Sequence, residues 1–337
     1  MIVGLEEVEK ATNTFDKSRE LSVGRHGGTV YKGILSSQHV VAIKKSKIVI
    51  QKRIDELINE VAILSQVNHR NIVKLIGCCL EIEVLLLIYE FVSNRTLYDP
   101  LHVHTPLSLS WKDRLRVAVE VARALTYLHS FASMPIIHGD IKSANILLDD
   151  SLTVKLCHFR TSRYICLDQE GIHTTLHGGV RNLNLNSTGQ INEKSDVYSF
   201  GVLLIELLTR KNPFSYRSAQ GVGLITHFVS LVSQVKLDEI LDPQVTKEGD
   251  GEVVDVALLA AICVKSRGED QPTMRQVEMT LESIQASKEF MSDITFEDYN
   301  NNGGYGEGNN TEYFGEDLHM PLCTLPFTRS KGTDDNL

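Results

Sequence analysis

No apolar run in this 337-residue chain is long enough to cross a bilayer; the most apolar stretch, Val197 to Leu208, is short and carries Glu206. Met1 to Lys10 lacks the apolar core of a secretory signal, and Ile2 in place of a glycine excludes N-terminal myristoylation. As written, the chain is expected to be soluble. Its six cysteines (Cys78, Cys79, Cys157, Cys166, Cys263 and Cys323) have neither CxxC spacing nor a histidine pattern beside them. That argues against a zinc site or a disulfide framework and fits reduced thiols in the cytosol. Excess positive charge is also missing. The net charge is −9; Glu289 to Leu337 holds ten acidic and two basic residues, a net of −8, which leaves −1 for the rest. A near-neutral body offers no electrostatic case for binding nucleic acid or an anionic membrane. There are no internal repeats.

What is present divides into regions. Leu5, Val8, Thr12 and Phe15 recur at helical spacing and predict a short helix ahead of the main domain. Strand-like runs follow at Thr29–Ile34 and His39–Lys44, around a turn at Ser36-Ser37-Gln38, and again at Ile72–Gly77 and Leu85–Phe91. Between them Ile54, Leu57, Ile58, Val61 and Leu64 form an amphipathic helical stripe. Beyond about residue 93 helices dominate: Leu115, Ala118, Ala122, Leu125 and Leu128 share one face, and Asp196–Thr209 is apolar almost all round, as a buried helix is. Thr273 with Gln276 reads as a capping box opening the last clear helix, through Ile284. Strands first and helices second predict an α+β bilobal fold, with a small antiparallel β lobe carrying one long helix and a larger helical lobe. The expected boundaries are 1–18 for an N-terminal extension helix, 19–92 and 93–288 for the two lobes, and 289–337 for an acidic tail. The tail's Asn- and Gly-rich stretches cannot bury a core. Tyr299, Tyr305 and Tyr313 sit among acidic residues that would suit phosphorylation, but a solvated tail is the better account of them.

Two constellations carry chemistry. Val41-Ala42-Ile43-Lys44 ends a strand with a lysine that needs a partner, and Glu60 lies at the edge of the following helical stripe. His138-Gly139-Asp140-Ile141-Lys142-Ser143-Ala144-Asn145-Ile146-Leu147-Leu148 matches the protein-kinase catalytic loop, in which the Asp accepts the substrate hydroxyl proton and the Asn five residues later binds metal. With the stretches Ile58–Asn71 and Glu193–Gly201, the chain resembles the intracellular part of plant receptor-like kinases of the wall-associated kinase family, from about Leu5 to Lys288. The resemblance implies that Lys44 and Glu60 hold the ATP α/β-phosphates, that Asp140 is the base and Lys142 a phosphate contact, and that Asn145 is a metal ligand. It also implies that Tyr89-Glu90-Phe91 form the gatekeeper and hinge, and that Leu21, Val30, Ala42 and Leu147 enclose the adenine. Gly24 and Gly27 would belong to the phosphate-covering loop, and Asp196 would brace the catalytic loop.

The pattern breaks at four places. Where the family has Asp-Phe-Gly, the chain reads His158-Phe159-Arg160. Magnesium is a hard cation that wants carboxylate and phosphate oxygens, and imidazole offers neither oxygen nor negative charge. Losing ~4 kcal/mol of that charge stabilisation slows turnover roughly a thousandfold. The Gly-rich loop reads Ser22-Val23-Gly24-Arg25-His26-Gly27-Gly28-Thr29-Val30, with its first glycine replaced and one inserted. Gly139 stands where the catalytic loop has arginine. Finally, Gly179–Gly189 lacks the Pro and Glu that end the activation segment, and Gln271 replaces the arginine that this Glu would pair with. Loss of both partners of a buried pair can be nearly neutral for stability.

The expectation is therefore a pseudokinase with weak ATP binding at best and no firm magnesium site. It would be cytoplasmic, peripheral to the plasma membrane only through a partner, and would act on an active receptor-like kinase or an immune receptor in cell-surface or defence signalling. The alternatives are a weakly active ATP-dependent Ser/Thr kinase and a receptor relic without a role.

Overall fold

A computed structural model describes residues 2–23, 28–46, 51–81, 84–93, 95–103, 108–131, 134–165 and 192–301, with the backbone alone described at 51–53, 80, 84 and 289–301. The chain begins with helix α1 (Leu5–Thr12), then β1 (Glu20–Val23), β2 (Thr29–Ile34), β3 (Val40–Ser46), helix α2 (Gln51–Leu64), β4 (Leu75–Glu81) and β5 (Val84–Glu90). The strands form one antiparallel sheet in the order β1-β2-β3-β5-β4.

Strand periodicity divides this sheet by function. In β3, Val41 and Ile43 are wholly buried on the same face as Leu86 and Ile88 of β5. Ala42 and Lys44 alternate with them and sit opposite Tyr89 and Leu87, with Val30 of β2 opposite Lys44. One face is thus a core and the other lines the cleft. The core face is closed by the N-terminal residues: Val3, Val8 and Ala11 join the same buried cluster. A Cβ on Gly33 would lie 2.7 Å from the Ile43 side chain and 3.5 Å from the Ala11 Cβ, so α1 crosses β2 at a point that only glycine permits. The N-terminal helix therefore packs onto the sheet of the small lobe. It also ends earlier than its spacing suggested: Asn13, Thr14 and Phe15 are left-handed, and Phe15 stacks edge-on against Tyr31.

The helical lobe follows, with α3 (Tyr98–His102), α4 (Trp111–His129), β6 (Ile136–Ile137), β7 (Ile146–Leu148), β8 (Val154–Leu156), β9 (Arg163–Tyr164), α5 (Glu193–Thr209), α6 (Leu224–Ser233), α7 (Pro243–Glu248), α8 (Gly251–Cys263) and α9 (Met274–Asn301). The expected face of α4 is buried along its whole length, and α5 is buried on nearly every side. The capping box forms in both directions: Thr273 N donates to Gln276 Oε1 at 2.8 Å, and Gln276 N donates to Thr273 Oγ1 at 3.2 Å. Helix α9 runs on past Ile284 and Lys288 to Asn301, so helical backbone extends beyond the boundary drawn at residue 288. By contacts, Met1–Ser292 forms one compact unit and Asp293–Leu337 a second. Among the described residues no helix is long and apolar enough to cross a membrane.

Candidate active site

Lys44 leaves the cleft face of β3 and meets Glu60 of α2, its Nζ donating to the two carboxylate oxygens at 2.9 and 3.1 Å. The Tyr89 phenol donates to Glu60 Oε1 at 2.7 Å. Burial pushes the Glu60 carboxyl up, but the Lys44 ammonium and the two donors outweigh it and hold the group below the usual range. The same burial, with the Glu60 charge beside it, raises the Tyr89 phenol well above its ordinary value. Glu60 is the ionised acceptor and Tyr89 the neutral donor.

Below the sheet, the catalytic-loop sequence adopts one internally bonded arrangement. Lys142 Nζ donates to both Asp140 oxygens at 2.8 Å, and Asn145 Nδ2 donates to the Asp140 carbonyl at 2.8 Å and to Oδ2 at 2.7 Å. Asp196, fully buried in the first turn of α5, accepts from His138 N and Gly139 N at 2.8 Å each and pairs with His129 Nε2 at 2.9 Å. Burial raises its carboxyl, and the His129 bond and charge bring it back below the usual range. Gly139 sits at φ +77°, where a Cβ would press within 3.2 Å of the Thr161 carbonyl.

His158 enters a short helical turn at φ 76°, and its Nε2 stops 4.0 Å from Asp140 Oδ2, beyond hydrogen-bonding reach. Burial and the Lys44 ammonium hold its imidazole down at about 4, so it is neutral at physiological pH. Phe159 is wholly buried, edge-on to His138 at 4.8 Å. Arg160 pairs with Glu56 of α2, and Asn59 Nδ2 on that helix donates to the Ser162 carbonyl at 2.7 Å. Cys157, just before this turn, is pushed up to about 12 by burial and is no nucleophile.

The remaining predicted positions fall as follows. Leu21 is half exposed on β1; Val30 and Ala42 share the cleft face of the sheet; Leu147 lies on β7, bridged to Thr96. Phe91 lies under the Lys32 ammonium, 4.8 Å from the ring centre, and Glu90 is taken by Lys155 at 2.9 Å. Gly24, Gly27 and the 179–189 stretch lie outside the described residues. Gln271 is buried, with its Nε2 donating to the Lys265 carbonyl at 2.6 Å and its Oε1 without a hydrogen bond among the described residues. The sequence reading missed Glu56 and Asn59. Their signal was available in part: Glu56 and Glu60 are one helical turn apart and so lie on the same side of α2.

Comparison with known proteins gives the family. The family model for protein tyrosine and serine/threonine kinases matches residues 15–281. Wall-associated receptor kinase 3 of Arabidopsis thaliana is 47% identical over 290 residues, which cover 84% of this chain and 39% of the relative. Wall-associated receptor kinase 1 is 46% identical over 288 residues (83% and 39%), and wall-associated receptor kinase-like 1 is 45% identical over 293 (86% and 40%), both from the same plant. The chain thus spans about two fifths of the length of the curated relatives it matches.

Proposed function

Because this chain belongs to the protein tyrosine and serine/threonine kinase family and carries a wall-associated receptor kinase-like kinase domain, we propose that it is a pseudokinase. In this reading it acts through its shape, as a scaffold or allosteric regulator of an active receptor-like kinase or immune receptor. One observation carries the proposal: at position 158 the cleft presents a neutral imidazole 4.0 Å from Asp140 where the reaction needs a metal-binding carboxylate.

The donor set does not fit magnesium. Asp140 is satisfied by Lys142 and Asn145, and nitrogen at residue 158 is a poor ligand for a hard cation. Among the described residues no cluster of three His, Cys, Asp or Glu side chains could hold a metal ion. Asp140, Lys142 and Asn145 bond to one another, which supports their retention as a structural brace. ATP, if it enters, meets Lys44 as the main cation, so its binding is weak and gains nothing from magnesium. The intact Lys44–Glu60 pair favours one second reading, a slow Ser/Thr kinase.

The test is autophosphorylation by the purified chain with Mg²⁺ or Mn²⁺, beside a His158→Asp/Arg160→Gly variant. Activity in the variant alone is the expected result. Ordinary turnover by the unaltered chain that disappears in Asp140→Asn would overturn the proposal in favour of the second reading.

A further inference from the structure

From Arg210 to Lys236 the chain contains no aspartate or glutamate, although it has 43 acidic residues in all. This stretch joins α5 to α6 and runs through α6. Its first part folds into a tight, polar-bonded turn. Asn212 Oδ1 accepts from Phe214 N at 2.9 Å and from Ser215 N at 3.3 Å, and Tyr216 N donates to the Asn212 carbonyl at 3.0 Å. Tyr216 then stacks on His227 of α6, with a 2.7 Å hydrogen bond between its hydroxyl and Nδ1. This backbone is fixed, yet it presents Phe214 to solvent with 64% of its surface open, and Val222 and Val229 are exposed nearby in sequence.

The cations that flank Phe214 in the chain have no carboxylate partner among the described residues. Arg210 Nε donates to the Leu101 carbonyl, Arg217 Nη1 to the carbonyls of Phe214 and Tyr216, and Lys211 rests 5.6 Å from the centre of the Tyr216 ring. Two acids of adjoining α3 and α5 are engaged elsewhere: Asp99 accepts from Thr96, and Glu206 is buried against Ser143 and His102. One exposed apolar residue is ordinary on a protein surface. A solvent-facing aromatic ring on a hydrogen-bonded turn, whose flanking cations have no acidic partner among the described residues, is a different object. The backbone beneath the ring is already held by hydrogen bonds, so docking orders only one side chain, and the unpaired cations select for negative charge.

We propose that the α5–α6 loop is a docking site for an acidic polypeptide segment of a partner protein, with Phe214 as the apolar anchor and Lys211 and Arg217 as the charge readers. The site is independent of whether the cleft turns over ATP.

The test is fluorescence anisotropy of the full chain with a labelled peptide that has a Leu-Leu centre flanked by glutamates. Saturable binding is expected, weakened by added salt. It should fall about tenfold in Phe214→Ala and again in Lys211→Glu/Arg217→Glu, with melting temperatures unchanged because these side chains are not core. A peptide with the leucines changed to serine should lose a similar factor. Equal binding by wild type and variants, or no saturable binding, overturns the proposal. So do Phe214-dependent self-association of the chain in sedimentation, which would make the occupant a second copy, and capture by phosphatidylserine vesicles while the peptide is ignored, which would make it a membrane.

Discussion

Arg160 and Glu56 form an ion pair that ties the turn after Phe159 to helix α2, one helical turn ahead of Glu60. The residue that replaces a flexible glycine has thus found a carboxylate on the helix that positions Lys44. With Asn59 bonding the Ser162 carbonyl, α2 is held from the lower lobe and by Lys44 from the sheet. The closed relation of lysine and glutamate is maintained by this chain's own side chains.

Breaking that strap should loosen the fold measurably. Both partners are mostly buried, so Arg160→Gly strands Glu56 and is expected to destabilise by about 1–2 kcal/mol. The Glu56→Gln/Arg160→Gln double-mutant cycle should give a coupling of about 0.5–2 kcal/mol by urea denaturation. A coupling near zero would show that the pair contributes nothing.

Gly139 tests the local backbone. At φ +77° an alanine is strained, and its Cβ would crowd the Thr161 carbonyl. Gly139→Ala is expected to cost about 1–2 kcal/mol, and Gly139→Arg, which restores the residue common at this position, should not be milder. Urea midpoints of the two variants decide this.

Much of this was legible in the sequence, for a physical reason. Asp140, Lys142 and Asn145 lie within six residues of one another in a motif whose identities and spacing arrive together, whereas the pairing of Lys44 with Glu60, 16 residues apart, was expected only through the family resemblance; the face-alternating strand residues and the Thr273–Gln276 box depend only on local periodicity. Arg160–Glu56 spans 104 residues and exists only once the fold has formed. The surface that α1 packs on was not legible, because helical spacing shows that a face will be buried without showing against what. Helix α9 outran its expected end because polar composition does not by itself stop a helix that already has a nucleus.

His158 gives the fold a pH dependence. Its imidazole titrates at about 4 when folded, against roughly 6.5 in an unfolded chain. Between these values the unfolded chain binds the extra proton, so stability is present above the upper value and is lost as pH falls toward 4. The side chain keeps 38% of its surface open, which makes the slope shallower than for an enclosed imidazole. Urea midpoints between pH 4 and 7 should flatten in His158→Gln. An unchanged slope would assign the effect to other groups.

The Lys44–Glu60–Tyr89 group should reverse its pH behaviour when the cation is removed. In the native chain the Glu60 carboxyl is held below the usual range, so the unfolded chain takes up the proton first and acid weakens the fold. Lys44→Met leaves a carboxylate that is only 1% exposed facing burial with one phenol donor, at a cost of about 3–5 kcal/mol near neutral pH. Burial then dominates and lifts the Glu60 carboxyl above its unfolded value. The variant's stability should therefore be greatest in mild acid and fall as pH rises through the new value, opposite to the native trend. Adding Glu60→Gln to Lys44→Met removes the buried charge and should recover most of the loss at pH 7. Urea midpoints from pH 4 to 8 for the three proteins test this: parallel pH trends in the native chain and Lys44→Met would mean that the ion pair does not govern the ionisation of Glu60.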